Sequence, residues 1–175
     1  MYLSKIKKGF YNMFREMRRK KQELSFKDSI AILKQATSGV LAVLGDDNYP
    51  YAVPLSFVFD NGKIYFHCAK TGHKLDAITR NKKVSFCVID LDQVVPEEYT
   101  TYFRSVIVFG RARILDNPEE KMKALEKLAI KYSPNSEERR KKAIERQFEQ
   151  VCMVEITIEH MTGKEAIELV RGRQK

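Results

Sequence analysis

An antiparallel barrel or sandwich of six strands with peripheral helices, of the α+β class, is the fold this sequence predicts. Three observations lead there. After Gly39 the hydrophobic period changes from helical to alternating. The alternating runs are separated by residues with turn chemistry, Asp46-Asp47-Asn48 and Asp60-Asn61-Gly62. Charged helical segments flank and interrupt the strand-like stretches without alternating with them one for one, which argues against a parallel sheet.

Ser25-Phe26-Lys27-Asp28 is a variant of the capping box, and it predicts a first helix over residues 26–36 with Ile30 and Leu33 inward and Gly39 as its stop. Strands come next over 40–44, 49–59 and 63–69, forming a meander. Asn61-Gly62 supplies the left-handed conformations a tight hairpin requires. Pro50 and Pro54 each remove a ladder donor, so part of the second strand must lie at an edge, a bulge or a barrel rim, leaving main-chain groups free for a ligand. A short helix over 71–80 leads to a strand over 83–91, an acidic loop over 92–98 and a long strand over 99–115. Asn117-Pro118-Glu119-Glu120 then opens a helix with proline in its first turn and acids complementing the dipole. A charged helix over 136–148 with Ile144 and Phe148 as anchors precedes a last strand over 151–158. Thr162 is expected to cap a terminal helix beginning near Lys164.

The formal charge of +9 sits almost wholly in residues 1–21, which carry eight Lys or Arg against the single Glu16. Ile6, Phe10, Met13, Phe14 and Met17 recur there at helical spacing. We therefore expect a basic N-terminal extension over 1–21 and one domain over 22–175. The near-neutral body argues against nucleic acid, and the extension is expected to be solvated, with packing on the barrel or contact with an anionic membrane as the alternatives. Cys68, Cys87 and Cys152 are odd in number and lie far apart in apolar stretches. They predict buried thiols in the cytoplasm and no metal site. No run reaches the roughly 18 apolar residues of a membrane span.

The stretch YPYAVPLSFVFDNGKIYFHCAKTGHKLDAITRNKKVSFCVID, followed by TTYFRSVIVFGRARIL, resembles the FMN-binding split-barrel superfamily of the pyridoxamine 5'-phosphate oxidases. Ile64-Tyr65-Phe66-His67, Gly72-His73-Lys74-Leu75-Asp76 and Ser105–Gly110 are most similar to its nitroimidazole-resistance (Nim-like) branch. The resemblance implies a split barrel, a homodimer and FMN between the subunits. It places the phosphate on His73 and Lys74, near a helix start where free N–H groups and the dipole already favour an anion. It places the ring edge on main-chain groups of Val53, Pro54, Leu55 and Ser56, and adds Ser105 from the long strand.

His67 lies on the strand face opposite Ile64, Phe66 and Cys68, where relatives hold flavin, so it is expected to contact the cofactor and to donate a proton. His160, Thr162, Gly163 and Lys164 resemble a segment that closes near the flavin, and Tyr102 lies on the same surface as Ser105. The chain lacks Trp and the Arg-rich C-terminal signature of the oxidases proper, which argues against oxidation of vitamin B6. The resemblance implies reduction of small electron-poor substrates by a transient electron donor. A flavin- or haem-binding protein without turnover is the alternative, with His67 and His160 as iron ligands.

Overall fold

In the computed structural model, which describes residues 13–173, one antiparallel sheet carries the architecture. In chain order the elements are α1 (Phe26–Gln35), β1 (Ser38–Leu44), β2 (Pro50–Ser56), β3 (Val58–Asp60), β4 (Lys63–Ala69), α2 (His73–Arg80), β5 (Lys83–Val95), β6 (Thr100–Ile114), α3 (Pro118–Tyr132), α4 (Glu137–Gln147), β7 (Val151–Glu165) and α5 (Ile167–Gly172). The seven strands run in the order β2-β1-β5-β6-β7-β4-β3. The count is therefore seven, where six are expected from the sequence.

The extra strand arises at Phe57. There the chain leaves β1 as a partner and takes up β4, so the single run over 49–59 becomes β2 and β3 on opposite edges of the sheet. Such a switch strands backbone polar groups. The Tyr132 hydroxyl at the end of α3 satisfies them, accepting from Phe57 N–H at 3.0 Å and lying 3.0 Å from the Phe57 carbonyl. It also reaches the Thr37 carbonyl. The fully buried Phe57 ring meets Phe86 edge-on at 4.9 Å.

The helix starts expected at Ser25 and Asn117 hold, and the cap expected at Thr162 does not. Ser25 Oγ accepts from Asp28 N–H at 3.0 Å and donates to the Asp28 carboxylate at 2.6 Å. Asn117 Oδ1 accepts from the N–H groups of Glu119 and Glu120. Asn61 and Gly62 both have positive φ in the β3–β4 hairpin. Gly39 belongs to β1 and does not end α1; it lies where a Cβ would run into the Phe86 ring. The acidic stretch after Leu91 continues β5 to Val95, past a bulge at Ile89/Leu91 where Asp90 pairs with Arg104 at 2.5 Å. β7 likewise runs on to Glu165, so Thr162 is a strand residue opposite Ile107, and Ala166 precedes α5. Residues 1–12 lie outside the described residues. The described part of the expected N-terminal helix, 13–19, is irregular, with Phe14 stacked on His160 at 4.7 Å.

Inward residues of all strands build the main core: Leu41, Val43, Phe66, Phe86, Val88, Val106, Val108, Val154 and Ile156, closed at one end by Ile32 and Leu33 of α1. A second cluster lies on the outer face, where Leu125 and Leu128 of α3 and Ile144 of α4 cover Val58, Tyr65 and Met153. No helix among the described residues is long and apolar enough to cross a membrane.

Candidate functional site

The free edge of β2 is set by its prolines. A strand keeps proline in a paired ladder only where that residue turns its main-chain groups away from the neighbour. Pro50 pairs with Leu44 and Pro54 with Val40, so by alternation the Pro54 carbonyl and both main-chain groups of Ser56 face the open edge. Val53 and Leu55 face β1 with their main chain and pack their side chains against the core. Ala52, Pro54 and Ser56 are exposed.

β4 supplies the other side of the opening. Its ladder with β3 ends at Val58↔Tyr65, two residues short of setting Ser56 opposite His67. Instead the chain turns away at Phe57. Ser56 and His67 thus flank the split in the barrel, while β2 and β4 stay in contact. His67 is exposed, and its other neighbour is Met153 of β7. The outward face of β4 is divided: Tyr65 is buried under α3, and His67 lies beyond that cover.

After β4 the segment Lys70–Gly72 leads into α2. Gly72, at φ 132°, takes a conformation open to glycine, and no side chain caps the helix. The Leu75 and Asp76 amides bond the Gly72 carbonyl, so those of His73 and Lys74 are the ones left without a partner among the described residues, with the positive end of the dipole behind them. Lys74, half-buried in this first turn, makes no ion pair among the described residues. His73 is engaged elsewhere. Its ring stacks on Tyr51 of β2 at 4.2 Å, and Nε2 lies 3.4 Å from Asp46 N–H and 3.6 Å from the Asp46 carboxylate. Arg80 holds the same carboxylate at 2.6 Å, and these contacts keep its acidity above that of an ordinary aspartate. The stack fixes the start of α2 against the start of β2, an arrangement that strand alternation does not reveal. The structure thus ties His73 to β2 through Tyr51, sets Lys74 next to it in the first turn of α2, and keeps β4, which carries His67, in contact with β2.

Ser105 is not among them. It is half-buried on the outer face of β6, between Ile89 of β5 and Lys164 of β7, three strands from β2 and so about 14 Å away within one chain. Around it the outer face carries Ile89, Ile107 and Phe109, which are 66%, 41% and 39% exposed. His160 lies opposite Phe109 and stacks on Phe14, and burial pushes its pKa down. Tyr102 donates to Glu98 at 2.8 Å near the hairpin tip. Among the described residues no group of three His, Cys, Asp or Glu is placed to hold a metal.

The family profile described as pyridoxamine 5'-phosphate oxidase matches residues 26–165. This chain belongs to that family. The split-barrel superfamily it typifies accounts for the strand order and for the opening between β2 and β4. Among solved structures the chain is similar to a candidate 5-nitroimidazole antibiotic resistance protein from Bacteroides thetaiotaomicron, at 22% identity and TM-score 0.69, over 82% of this chain and 86% of that one. It is similar to a flavocytochrome from Azotobacter vinelandii, at 18% identity and TM-score 0.75, over 87% and 72%. An FAD- and haem-binding protein from Mycobacterium smegmatis matches at 18% identity and TM-score 0.70, over 83% and 73%. Likeness at these identities shows the fold. No curated protein matches the sequence.

Proposed function

We propose that the chain is a cytoplasmic FMN-binding oxidoreductase that reduces small electron-poor molecules. The observation that carries this reading is the uncapped start of α2, with unpaired Lys74 in its first turn, set beside the proline-interrupted free edge of β2. The first suits a phosphate and the second a planar ring with hydrogen-bonding edges. The family match and the flavin-binding descriptions of two similar structures favour the same cofactor class.

In this reading Lys74 and the α2 amides neutralise the phosphate, and His73 borders it while Tyr51 and Asp46 hold its ring. The Pro54 carbonyl accepts from the ring edge and Ser56 N–H donates to it; Val53 and Leu55 keep the strand on β1. Bound FMN supplies reversible hydride and single-electron chemistry. His67, on the far lip of the opening, donates a proton to the reduced substrate. A second copy covers Ile89, Ile107 and Phe109 and brings its Ser105 to the neighbouring cofactor, so the working form is a homodimer. A transient donor such as a reduced nicotinamide supplies electrons.

The visible spectrum of the protein after FMN addition and removal of excess tests the reading. Retained flavin bands support it, and their absence overturns it. Loss of nitroaromatic reduction in a His67→Ala variant that still holds FMN supports catalysis; unchanged turnover removes His67 from the mechanism. The haem alternative rests on the descriptions of two similar structures and on His67 as a free histidine; a Soret band after haem addition, with no flavin bands, favours it.

A further inference from the structure

We propose that Cys68 and Cys152 form a reversible disulfide that latches the end of β4 to β7 and restrains the segment leading into α2. The two residues are directly opposed in the antiparallel ladder, in the last pair but one, next to Ala69↔Val151. Both side chains lie on the inner face, Cys152 within the main core and Cys68 against its rim. Directly opposed residues have Cα atoms about 4.5–5.5 Å apart, inside the span of about 4.4–6.8 Å that disulfides occupy. The third cysteine, Cys87, faces the other side of the sheet between Val40 and Ile107 and has no thiol opposite it.

The position gives the pair a consequence. Lys70–Gly72 leaves β4 immediately beyond the pair and ends in the left-handed Gly72 that starts α2. A covalent tie at 68–152 shortens the free run of chain that sets those amides. The surroundings decide the speed of the chemistry. Burial pushes both thiols up, Cys68 to about 11, against the pull of Lys74 on Cys68 and of Lys121 and Lys70 on Cys152. The thiols are therefore protonated near neutrality, and the pair follows slow changes in thiol–disulfide balance better than bursts of peroxide.

The oxidant is a low-molecular-weight disulfide. The thiolate of Cys68, the more exposed of the two, attacks one of its sulfurs and expels a small thiolate, leaving a mixed disulfide. Cys152 as thiolate then attacks the Cys68 sulfur and expels the second small thiolate. The two protons lost by the cysteines end on the two released thiols, and the two electrons reduce the oxidant's sulfur–sulfur bond.

The test equilibrates the full chain with oxidised and reduced glutathione at graded ratios, with alkylation and intact mass as the readout. The proposal expects a monomeric species about 2 Da lighter with one alkylatable thiol, mapped to Cys87, and full reversal by dithiothreitol. Cys68→Ser and Cys152→Ser each remove the lighter species. Hydrogen exchange of amides 70–74 is expected to slow at least about threefold in the oxidised wild type and to stay unchanged in Cys68→Ser. Three alkylatable thiols at every ratio, or a bond that includes Cys87, overturns the disulfide. A disulfide that leaves exchange at 70–74 unaltered overturns the latch. Neither readout depends on a bound cofactor.

Discussion

Outward-facing Tyr65 of β4 and Met153 of β7 disappear beneath the chain's own helices, whereas outward-facing residues of β5 and β6 do not. Tyr65 and Met153 are 8% and 0% exposed under α3, while Ile89 and Ile107 are 66% and 41% exposed. Both halves are built of strands that alternate inward and outward residues. The difference comes from chain order, because α3 and α4 are inserted between β6 and β7 and fold back over one half of the sheet only. One outer half therefore stabilises the monomer. The other stays exposed, and it is the half on which the proposed second copy would dock.

The comparison breaks first at Met153. Truncation to alanine removes a fully buried side chain from the covered half, and denaturant titration should show a loss of about 2–5 kcal/mol. A loss under about 1 kcal/mol would mean that α3 is not anchored as described. Next comes Glu155, whose carboxylate is almost fully buried on the same half and takes Lys63 at 2.9 Å and Arg113 at 2.8 Å. Burial raises its pKa, but the two hydrogen-bonded cations outweigh that and hold it below the ordinary glutamate range. A depressed pKa contributes stability that is present above the unfolded value and lost as pH falls through the folded one. Glu155→Ala should therefore cost about 1–3 kcal/mol at neutral pH, with the gap to wild type closing on acidification. A pH-independent gap would show that packing, not charge, is what Glu155 contributes.

Tyr132→Phe removes the hydroxyl that bridges Phe57 and Thr37 at the strand switch, with an expected loss near about 1 kcal/mol by thermal melting. No loss would mean water replaces it. On the open half the effect on folding should be smallest. Ile107→Asp should leave the unfolding free energy of the subunit within about 0.5 kcal/mol, yet convert the proposed dimer to monomers in sedimentation. A large loss of subunit stability with unchanged mass would reverse the assignment of the two halves.

Much of this architecture is legible in residues alone. Capping chemistry locates α1 and α3, and Asn61-Gly62 locates the hairpin. Pro50 and Pro54 correctly require an edge. The break at Phe57 is not legible, because the hydroxyl that satisfies its stranded main-chain groups lies 75 positions later in the chain. The extension of β7 past Ile158 is hidden by Thr162-Gly163, which reads locally as a turn. There the close approach of Ser29 and Leu24, which leaves no room for a Cβ at 163, is the reason for glycine. Of the candidate site, Lys74 and the β2 edge emerge from motif and proline position. The engagement of His73 by Tyr51 and Asp46 is a tertiary contact with no sequence period behind it. The opposition of Cys68 and Cys152 needs the strand register, which pairs the fourth strand with the last.

The central claim is that the start of α2 binds the phosphate of a flavin held along β2, and paired titrations with FMN and riboflavin test it most directly, in wild type and in Lys74→Ala. The account predicts that wild type prefers FMN to riboflavin by at least about tenfold, or roughly 1.4 kcal/mol, and that Lys74→Ala loses most of that preference while binding riboflavin unchanged. Equal affinity for the two flavins in wild type, or a preference that survives in Lys74→Ala, would contradict it.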